Sequence, residues 1–252
     1  MDFGIPGRVA IVTGATGGLG RAAAKLLSAE GVRVAIFART EATLKKTAAE
    51  ITTSTGHPVL AVPGDMSRSE DVARLIETVT RELGKPSILI CVTGRPPRPR
   101  QVIEETERER WVEAFNTCLM GAVNVISAVA PLMIEQRWGR IVSINTASVK
   151  QPMHQHGLST IFRTGLAGYL KHLANETAHQ GVTVNVVGPG SIGTDTFMTR
   201  PDAAERGKTI PVGRLGKPEE CAAAAVFFCS QQAGFITGTT LQVDGGMTAT
   251  LS

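Results

Sequence analysis

The sequence predicts a single doubly wound α/β domain with a seven-stranded parallel sheet. Short apolar segments alternate with helical segments along all 252 residues, a pattern typical of strands separated by crossover helices. A glycine-rich turn joins the first apolar segment to the first helical one. No change in composition marks a linker, so we treat residues 1–252 as one domain.

Each predicted strand is short and apolar. Residues 88–92 are apolar throughout, which favours a strand covered on both faces. Ser67 and Glu70 have capping-box spacing and predict a helix start. The predicted strands are 9–12, 33–38, 59–62, 88–92, 141–144, 182–187 and 240–243; the main predicted helices are 21–30, 41–53, 67–83, 107–129, 159–179 and 218–230.

Composition limits the classes of function. The net charge is +4, and no Lys/Arg block indicates a nucleic-acid tail. The four cysteines lack CxxC spacing and lie in apolar segments, which favours buried reduced thiols over disulfides or a metal site. There is no signal-peptide pattern and no apolar run long enough to cross a bilayer. We expect a cytoplasmic protein that binds no metal, membrane or nucleic acid.

The turn from Thr13 to Gly20 reads TGATGGLG. Glycines tolerate positive φ and leave no Cβ between the backbone and a ligand. The following helix start offers unpaired N–H groups to a phosphate. Because ligands of such sheets bind at the carboxyl ends of the strands, the residues after each strand predict one site.

Several further motifs accompany this turn. Asp65 follows the third strand, and Asn116 lies in the helical sequence WVEAFNT. The segment from Val184 to Thr194 reads VNVVGPGSIGT, and the C-terminal part contains GRLGKPEE and VDGG. With these motifs the chain resembles the short-chain dehydrogenase/reductase family along essentially its whole length. The resemblance implies a Rossmann-type domain that binds a nicotinamide dinucleotide and a small-molecule substrate.

The resemblance also implies which residues bind the cofactor. NAD-binding relatives place an acid at the end of the second strand, where this chain has Ala38, Arg39 and Thr40. An acid would repel a 2′-phosphate, whereas arginine offers it a charged fork, so we predict NADP(H). A solvated surface Arg39 is the alternative. The predicted cofactor residues are Gly14, Thr16, Gly17, Gly18, Leu19, Gly20, Arg39, Thr40, Asp65, Met66, Thr93, Gly94, Arg163, Pro189, Gly190, Ile192 and Thr194.

The family's catalytic frame is altered. The family uses a serine, a tyrosine thirteen residues later and a lysine four residues beyond the tyrosine. Here the three positions are Thr146, Ser159 and Arg163, and only Asn116 of the usual four residues is present. Thr146 keeps a hydroxyl, but Ser159 is a far poorer acid than a phenol, and Arg163 cannot release its proton.

Three interpretations follow. The chain is an oxidoreductase whose activated substrate, such as an enone or an anionic ketone, needs no tyrosine acid. Alternatively it is a non-redox lyase or isomerase on the same fold, or a non-catalytic NADP(H)-binding protein. His154 and His156 are candidate replacement acids, with solvated loop histidines as the alternative.

Arginines in the loop after the fourth strand suggest an anionic substrate. Arg95 and Arg98 could bind a carboxylate or phosphate, or could simply face solvent. The polar segment 194–208, punctuated by Pro201 and Gly207, is predicted to close over the substrate. The family resemblance further implies a homo-oligomer, commonly a tetramer.

Overall fold

The computed structural model describes residues 2–251. Within that range seven parallel strands form one sheet, as the sequence predicts, and their order is β3-β2-β1-β4-β5-β6-β7. Their bounds are β1 (Val9–Thr13), β2 (Arg33–Ala38), β3 (Val59–Pro63), β4 (Ile88–Val92), β5 (Gly139–Ile144), β6 (Val182–Pro189) and β7 (Thr240–Val243).

Helices connect the strands and cover both faces of the sheet. Their bounds are α1 (Gly18–Ala29), α2 (Glu41–Thr55), α3 (Ser69–Glu82), α4 (Arg108–Phe115), α5 (Gly121–Glu135), α6 (Gly157–Thr177), α7 (Asp195–Met198), α8 (Ala203–Lys208) and α9 (Pro218–Cys229).

Side chains alternate between two apolar cores because successive strand residues point to opposite faces. On β1, Ala10 and Val12 pack with α1, α2 and α9, whereas Val9 and Ile11 pack with α3, α5 and α6. All five residues of β1 are buried. The continuous apolar character of the strands follows from this double coverage.

Several predicted helix boundaries differ from the structure by one to three residues, and two predicted helices, 67–83 and 107–129, differ for identifiable reasons. Ser67 does not cap α3, because its hydroxyl and its N–H both donate to the Asp65 carboxylate, at 2.8 and 2.9 Å. The helix begins at Ser69 instead. The predicted helix 107–129 divides into α4, a π-helical turn (Asn116–Met120) and α5, which continues through Pro131 to Glu135. Burial of apolar residues beyond the proline offsets the hydrogen bond that it removes.

The segment Arg108–Glu135 is long and apolar enough to span a membrane by length and composition, contrary to the expectation from the sequence. Val125, Ile126, Val129 and Met133 of this segment are buried in the core beneath the sheet. Packing within the domain accounts for the apolar character of these four residues.

The strand order reverses between β1 and β4, so a crevice opens where these two strands end. Thr13 joins them at that point: its hydroxyl donates to the Val92 carbonyl and accepts from the Val92 N–H, both at 2.9 Å. The glycine turn after β1 and the loop after β4 therefore lie on either side of the crevice, and these hydrogen bonds hold their starting points together.

Candidate active site

The turn between β1 and α1 requires glycine at two positions. Gly18 has φ +51°, in the region that side chains rarely adopt. A Cβ on Gly20 would lie 2.5 Å from the Gly14 carbonyl oxygen. Gly20 is buried beneath the turn and is not among the residues that line the crevice at the strand ends; its position shows a packing role, and its contact with a ligand stays a prediction. The close packing brings the start of α1 against the crevice.

The crevice forms a cavity of about 590 Å³ at the strand ends, which we call the strand-end cavity. Most of the predicted cofactor residues line it: Gly14, Thr16, Gly17, Gly18, Leu19, Arg39, Thr40, Asp65, Met66, Thr93, Gly94, Arg163 and Thr194. Asn116 also lines it, at the start of the π-helical turn. π-Helical turns inside α-helices are frequent at functional sites.

Arg39 lies at the end of β2, on the wall of the strand-end cavity. Its side chain is exposed, and no carboxylate of residues 2–251 lies within ion-pairing distance of it. The adjacent position, Ala38, contributes no negative charge. This end of the cavity therefore presents an uncompensated guanidinium group.

Asp65 and Met66 lie in the loop after β3, the strand next to β2, and are held by hydrogen bonds. The Asp65 N–H donates to the Asp71 carboxylate at 2.8 Å, which is the largest cause of the lowered pKa of Asp71. The Asn124 amide donates to the Met66 carbonyl at 3.1 Å. These bonds tie the loop after β3 to α3 and α5 and fix the shape of the cavity wall.

Arg163, at the predicted lysine position of the family's frame, is anchored at the end of β4. Its guanidinium donates to the Thr93 hydroxyl and, at 2.8 Å, to the Gly94 carbonyl. Burial lowers the pKa of this guanidinium, which is 8% exposed. The Asn145 amide donates to the Arg163 carbonyl at 3.0 Å. Arg163 thus supplies buried positive charge at the floor of the strand-end cavity.

A second cavity of about 410 Å³ adjoins the first, and we call it the lateral cavity. Arg95 and Thr196 line both cavities, so the two spaces meet at these residues. Thr146 and Ser159 line the lateral cavity, and so does His156. The hydroxyl positions of the altered frame are therefore brought together in one space.

The surroundings of these polar groups differ. The Thr146 hydroxyl accepts from the Ser148 N–H at 3.3 Å, which leaves its own proton available to another acceptor. Burial is the main cause of a lowered pKa of His156, and Arg206, Arg200 and Arg163 lower it further. His156 is accordingly a neutral imidazole at neutral pH.

Some predicted residues lie elsewhere. Arg98 and His154 have exposed side chains and line neither cavity. Pro189 and Gly190 line the lateral cavity, and Ile192 is buried away from both cavities. The end of β6 therefore borders the lateral space rather than the strand-end space.

The segment 194–208 contains α7 and α8 and lies against both cavities. Thr194 accepts from the Phe197 N–H at 3.2 Å and so caps α7. Asp195 pairs with Arg21 at 2.8 Å, which links α7 to α1. Phe197, Arg200 and Arg206 from this segment line the lateral cavity.

Several lining residues are absent from the sequence-based prediction. In the strand-end cavity they include Phe37, Ser67 and Thr117, and in the lateral cavity Glu105, Met153 and Met247, whereas Phe197, Arg200 and Arg206 belong to the predicted segment 194–208. Asn145, which also lines the strand-end cavity, follows a predicted strand directly, so topology gave a signal for it. Glu105, Met153 and Met247 come from separate loops, and no local pattern indicates that they meet at the lateral cavity.

The chain was compared with known proteins. A family model described as Enoyl-(Acyl carrier protein) reductase matches residues 14–248. The chain belongs to the short-chain dehydrogenase/reductase family. It is 33% identical over 245 residues to the 3-oxoacyl-(acyl-carrier-protein) reductase FabG of Haemophilus influenzae, covering 96% of this chain and 98% of that protein.

Solved structures of the family share the fold closely. L-sorbose reductase from Gluconobacter frateurii, complexed with NADPH and L-sorbose, has a TM-score of 0.92 at 29% identity, with 100% of both chains covered. A short chain oxidoreductase from Pseudomonas aeruginosa PAO1, NADPH-bound and described as containing an atypical catalytic center, also has a TM-score of 0.92 at 29% identity. That match covers 98% of this chain and 99% of the other. Family membership establishes an oxidoreductase of the NAD(P)(H)-dependent type.

Proposed function

We propose that this protein is an NADP(H)-dependent oxidoreductase that reduces an activated substrate without a tyrosine acid. The observation that supports the proposal most is the meeting of the two cavities at Arg95 and Thr196. A dinucleotide in the strand-end cavity would have its reactive end beside the lateral cavity. Thr146 and Ser159 border that lateral space.

Features of the strand-end cavity fit a phosphorylated dinucleotide. Gly17 precedes α1, and a Cβ on it would meet nothing within 4 Å, so the backbone there is open to a phosphate. Arg39 is exposed and uncompensated at the end where the adenosine ribose would lie. The NADPH complexes of the related structures support the same assignment.

The chain's own groups suggest how reduction proceeds. A bound reduced nicotinamide supplies a hydride. Thr146 can donate its hydroxyl proton in a hydrogen bond to the substrate oxygen, on which negative charge develops. The buried positive charge of Arg163, at the floor of the strand-end cavity, would stabilise that negative charge. Ser159 adds a second hydroxyl at the lateral wall.

An activated carbonyl compound suits this set of donors. Reduction of an enone at its carbon–carbon double bond leaves an enolate, which the donors hold until solvent protonates the carbon. His156 is neutral, so it suits the role of a hydrogen-bond partner or proton relay better than that of a cationic acid. The related P. aeruginosa oxidoreductase is described as containing an atypical catalytic center, which supports oxidoreductase activity with catalytic residues that differ from the family's usual set.

Turnover is tested by following NADPH consumption with paired enones and saturated ketones. We expect enones to be reduced faster than the matching ketones, and Thr146→Val to lower kcat by roughly 10- to 100-fold through loss of one donor. Thr146→Ser should retain activity and serves as the matched control. Tight NADPH binding with no turnover of any compound contradicts the proposal and favours a non-catalytic binding protein.

Cofactor preference is tested through Arg39. We expect NADPH to bind more tightly than NADH, and Arg39→Gln to weaken NADPH binding by roughly 10- to 100-fold with little effect on NADH. Lys46→Gln on α2 is the control, because Lys46 is exposed and lines neither cavity. Preference for NADH that survives Arg39→Gln refutes the assignment.

The remaining assignments follow from family membership. We infer a cytoplasmic homo-oligomer, commonly a tetramer in the family, in which segment 194–208 covers the substrate. Val112, Phe115 and Ile161 are exposed apolar residues on α4 and α6, which supports contact with another copy. Light scattering that gives a monomer mass at assay concentrations would contradict the oligomer.

A further inference from the structure

Within residues 2–251, Arg206 is a half-buried arginine of the lateral cavity that has no carboxylate partner. Arg200 pairs with Asp202 at 2.9 Å, and Arg110 binds the buried Glu105 carboxylate through two bonds of 2.6 and 2.9 Å. Arg206 has no carboxylate within 4 Å among residues 2–251, and its Nε donates only to the Ser191 hydroxyl, at 3.5 Å.

The burial of Arg206 makes this lack of an ion pair informative. The side chain is half-buried on α8 and lines the lateral cavity. Removing a guanidinium from water costs free energy unless an anion or other acceptors compensate it. Its neighbour Lys208, by contrast, is exposed and pairs with Glu205 at 2.7 Å.

The acidic residue in the cavity wall does not provide the missing partner. Glu105 is 7% exposed, and its hydrogen bonds with Arg110 hold the pKa of its carboxyl below the usual range. That carboxylate is therefore ionised and already paired. The cavity retains positive charge on Arg206, and Arg95 adds a second unpaired cation where the two cavities meet.

Apart from these cations, much of the cavity wall is apolar. Pro97, Leu158, Phe197 and Met247 contribute to it. Such a space of about 410 Å³ accepts a small ligand with an apolar body and one charged end.

We propose that Arg206 binds the carboxylate of an amphipathic substrate whose apolar body lies between Leu158 and Phe197. One guanidinium edge matches one carboxylate through two parallel hydrogen bonds. This assignment rests on the proposed function in taking the lateral cavity as the substrate space. It assigns the anion to α8 rather than to Arg98, whose exposed side chain lies outside the cavity.

Binding of unreactive carboxylates separates this assignment from catalysis. Hexanoate, octanoate and cyclohexanecarboxylate, each with its methyl ester, are titrated into the NADP⁺-loaded protein by calorimetry. We expect at least one acid to bind more tightly than its ester. Arg206→Gln should weaken acid binding by about 10- to 100-fold and leave ester binding unchanged. Lys208→Gln, on the same helix but outside the cavity, should change neither.

Thermal melting and NADP⁺ affinity verify that each variant is folded. If Arg206→Gln does not fold, Arg206→Lys replaces it. Acid affinity should then fall by less, because lysine keeps the positive charge but cannot form the two parallel hydrogen bonds of a guanidinium. The proposal is overturned if no acid binds saturably, if acids and esters bind with equal affinity, or if the Arg206 variant binds acids as tightly as the wild type does. Arg206-dependent acid binding without NADPH turnover would refute the proposed reaction while sustaining the binding site.

Discussion

Gly20→Ala tests whether close packing of α1 against the turn builds the strand-end cavity. The new Cβ would lie 2.5 Å from the Gly14 carbonyl oxygen, 2.8 Å from its carbon and 3.0 Å from the Ala15 Cα. Ordinary contacts between heavy atoms are about 3.5–4.0 Å, so helix and turn must separate by roughly 1 Å. The turn has little room to retreat, because a Cβ on Gly14 would already lie 3.0 Å from the Val92 carbonyl oxygen.

Such overpacking costs about 1–3 kcal/mol, which lowers the Tm of a chain of this size by roughly 2–12 °C. NADPH affinity should fall as well, because the start of α1 moves away from the phosphate position. Thermal melting and titration of NADPH fluorescence measure the two effects. Gly168→Ala, where a Cβ meets nothing within 4 Å on α6, is the control and should not lower the Tm.

Gly17→Ala separates the two roles of the turn. Its Cβ meets no protein atom within 4 Å but would project from the rim of the strand-end cavity. Stability should persist while NADPH affinity falls. A Gly20→Ala variant with unchanged Tm and unchanged NADPH affinity would refute the packing argument.

Two further predictions concern titratable groups. Because the folded pKa of His156 lies below its unfolded value of about 6.5, its stabilising contribution is complete above that pH and is lost as pH falls through the folded value. The Tm of wild type should therefore decline more steeply below about pH 6.5 than that of His156→Gln; parallel profiles would contradict this. Burial raises the pKa values of Cys91, Cys221 and Cys229 to about 12, so these thiols should resist Ellman's reagent until the protein unfolds. Rapid labelling of the native protein would contradict that reading.

Local chemistry made much of the fold predictable. The strands are short apolar segments, and their order places the glycine turn, Asp65 and Thr93 at one edge of the sheet. The site at that edge follows from the rule for parallel sheets and needs no knowledge of side-chain positions. Ser67 shows the limit of local motifs: a neighbouring carboxylate two residues earlier competes for its hydroxyl and shifts the helix start.

The lateral cavity could be predicted only in part, because local patterns indicate its candidate residues and the segment 194–208 but not which of their side chains line it. Arg95 and Arg98 are three residues apart in one Pro-rich loop, yet only Arg95 lines a cavity. The distinction depends on how the loop packs, including the 2.8 Å bond from Arg110 to the Arg98 carbonyl. Arg206 reaches the same space from a helix more than a hundred residues later, so only the tertiary structure brings the two cations together.

The anchoring of Arg163 constrains how this active site could change over evolution. The family's tyrosine acts beside a lysine, whereas this guanidinium is engaged by Thr93 and Gly94 at the end of β4. A reversion of Ser159 to tyrosine would place a phenol beside a cation already committed to other acceptors. Replacing Arg163 by lysine would leave the Thr93 hydroxyl and the Gly94 carbonyl, which two nitrogens of one guanidinium now contact, with a single ammonium donor. Return to the family's tyrosine–lysine pair therefore requires two replacements, and replacing Arg163 first would disturb its hydrogen bonds to Thr93 and Gly94.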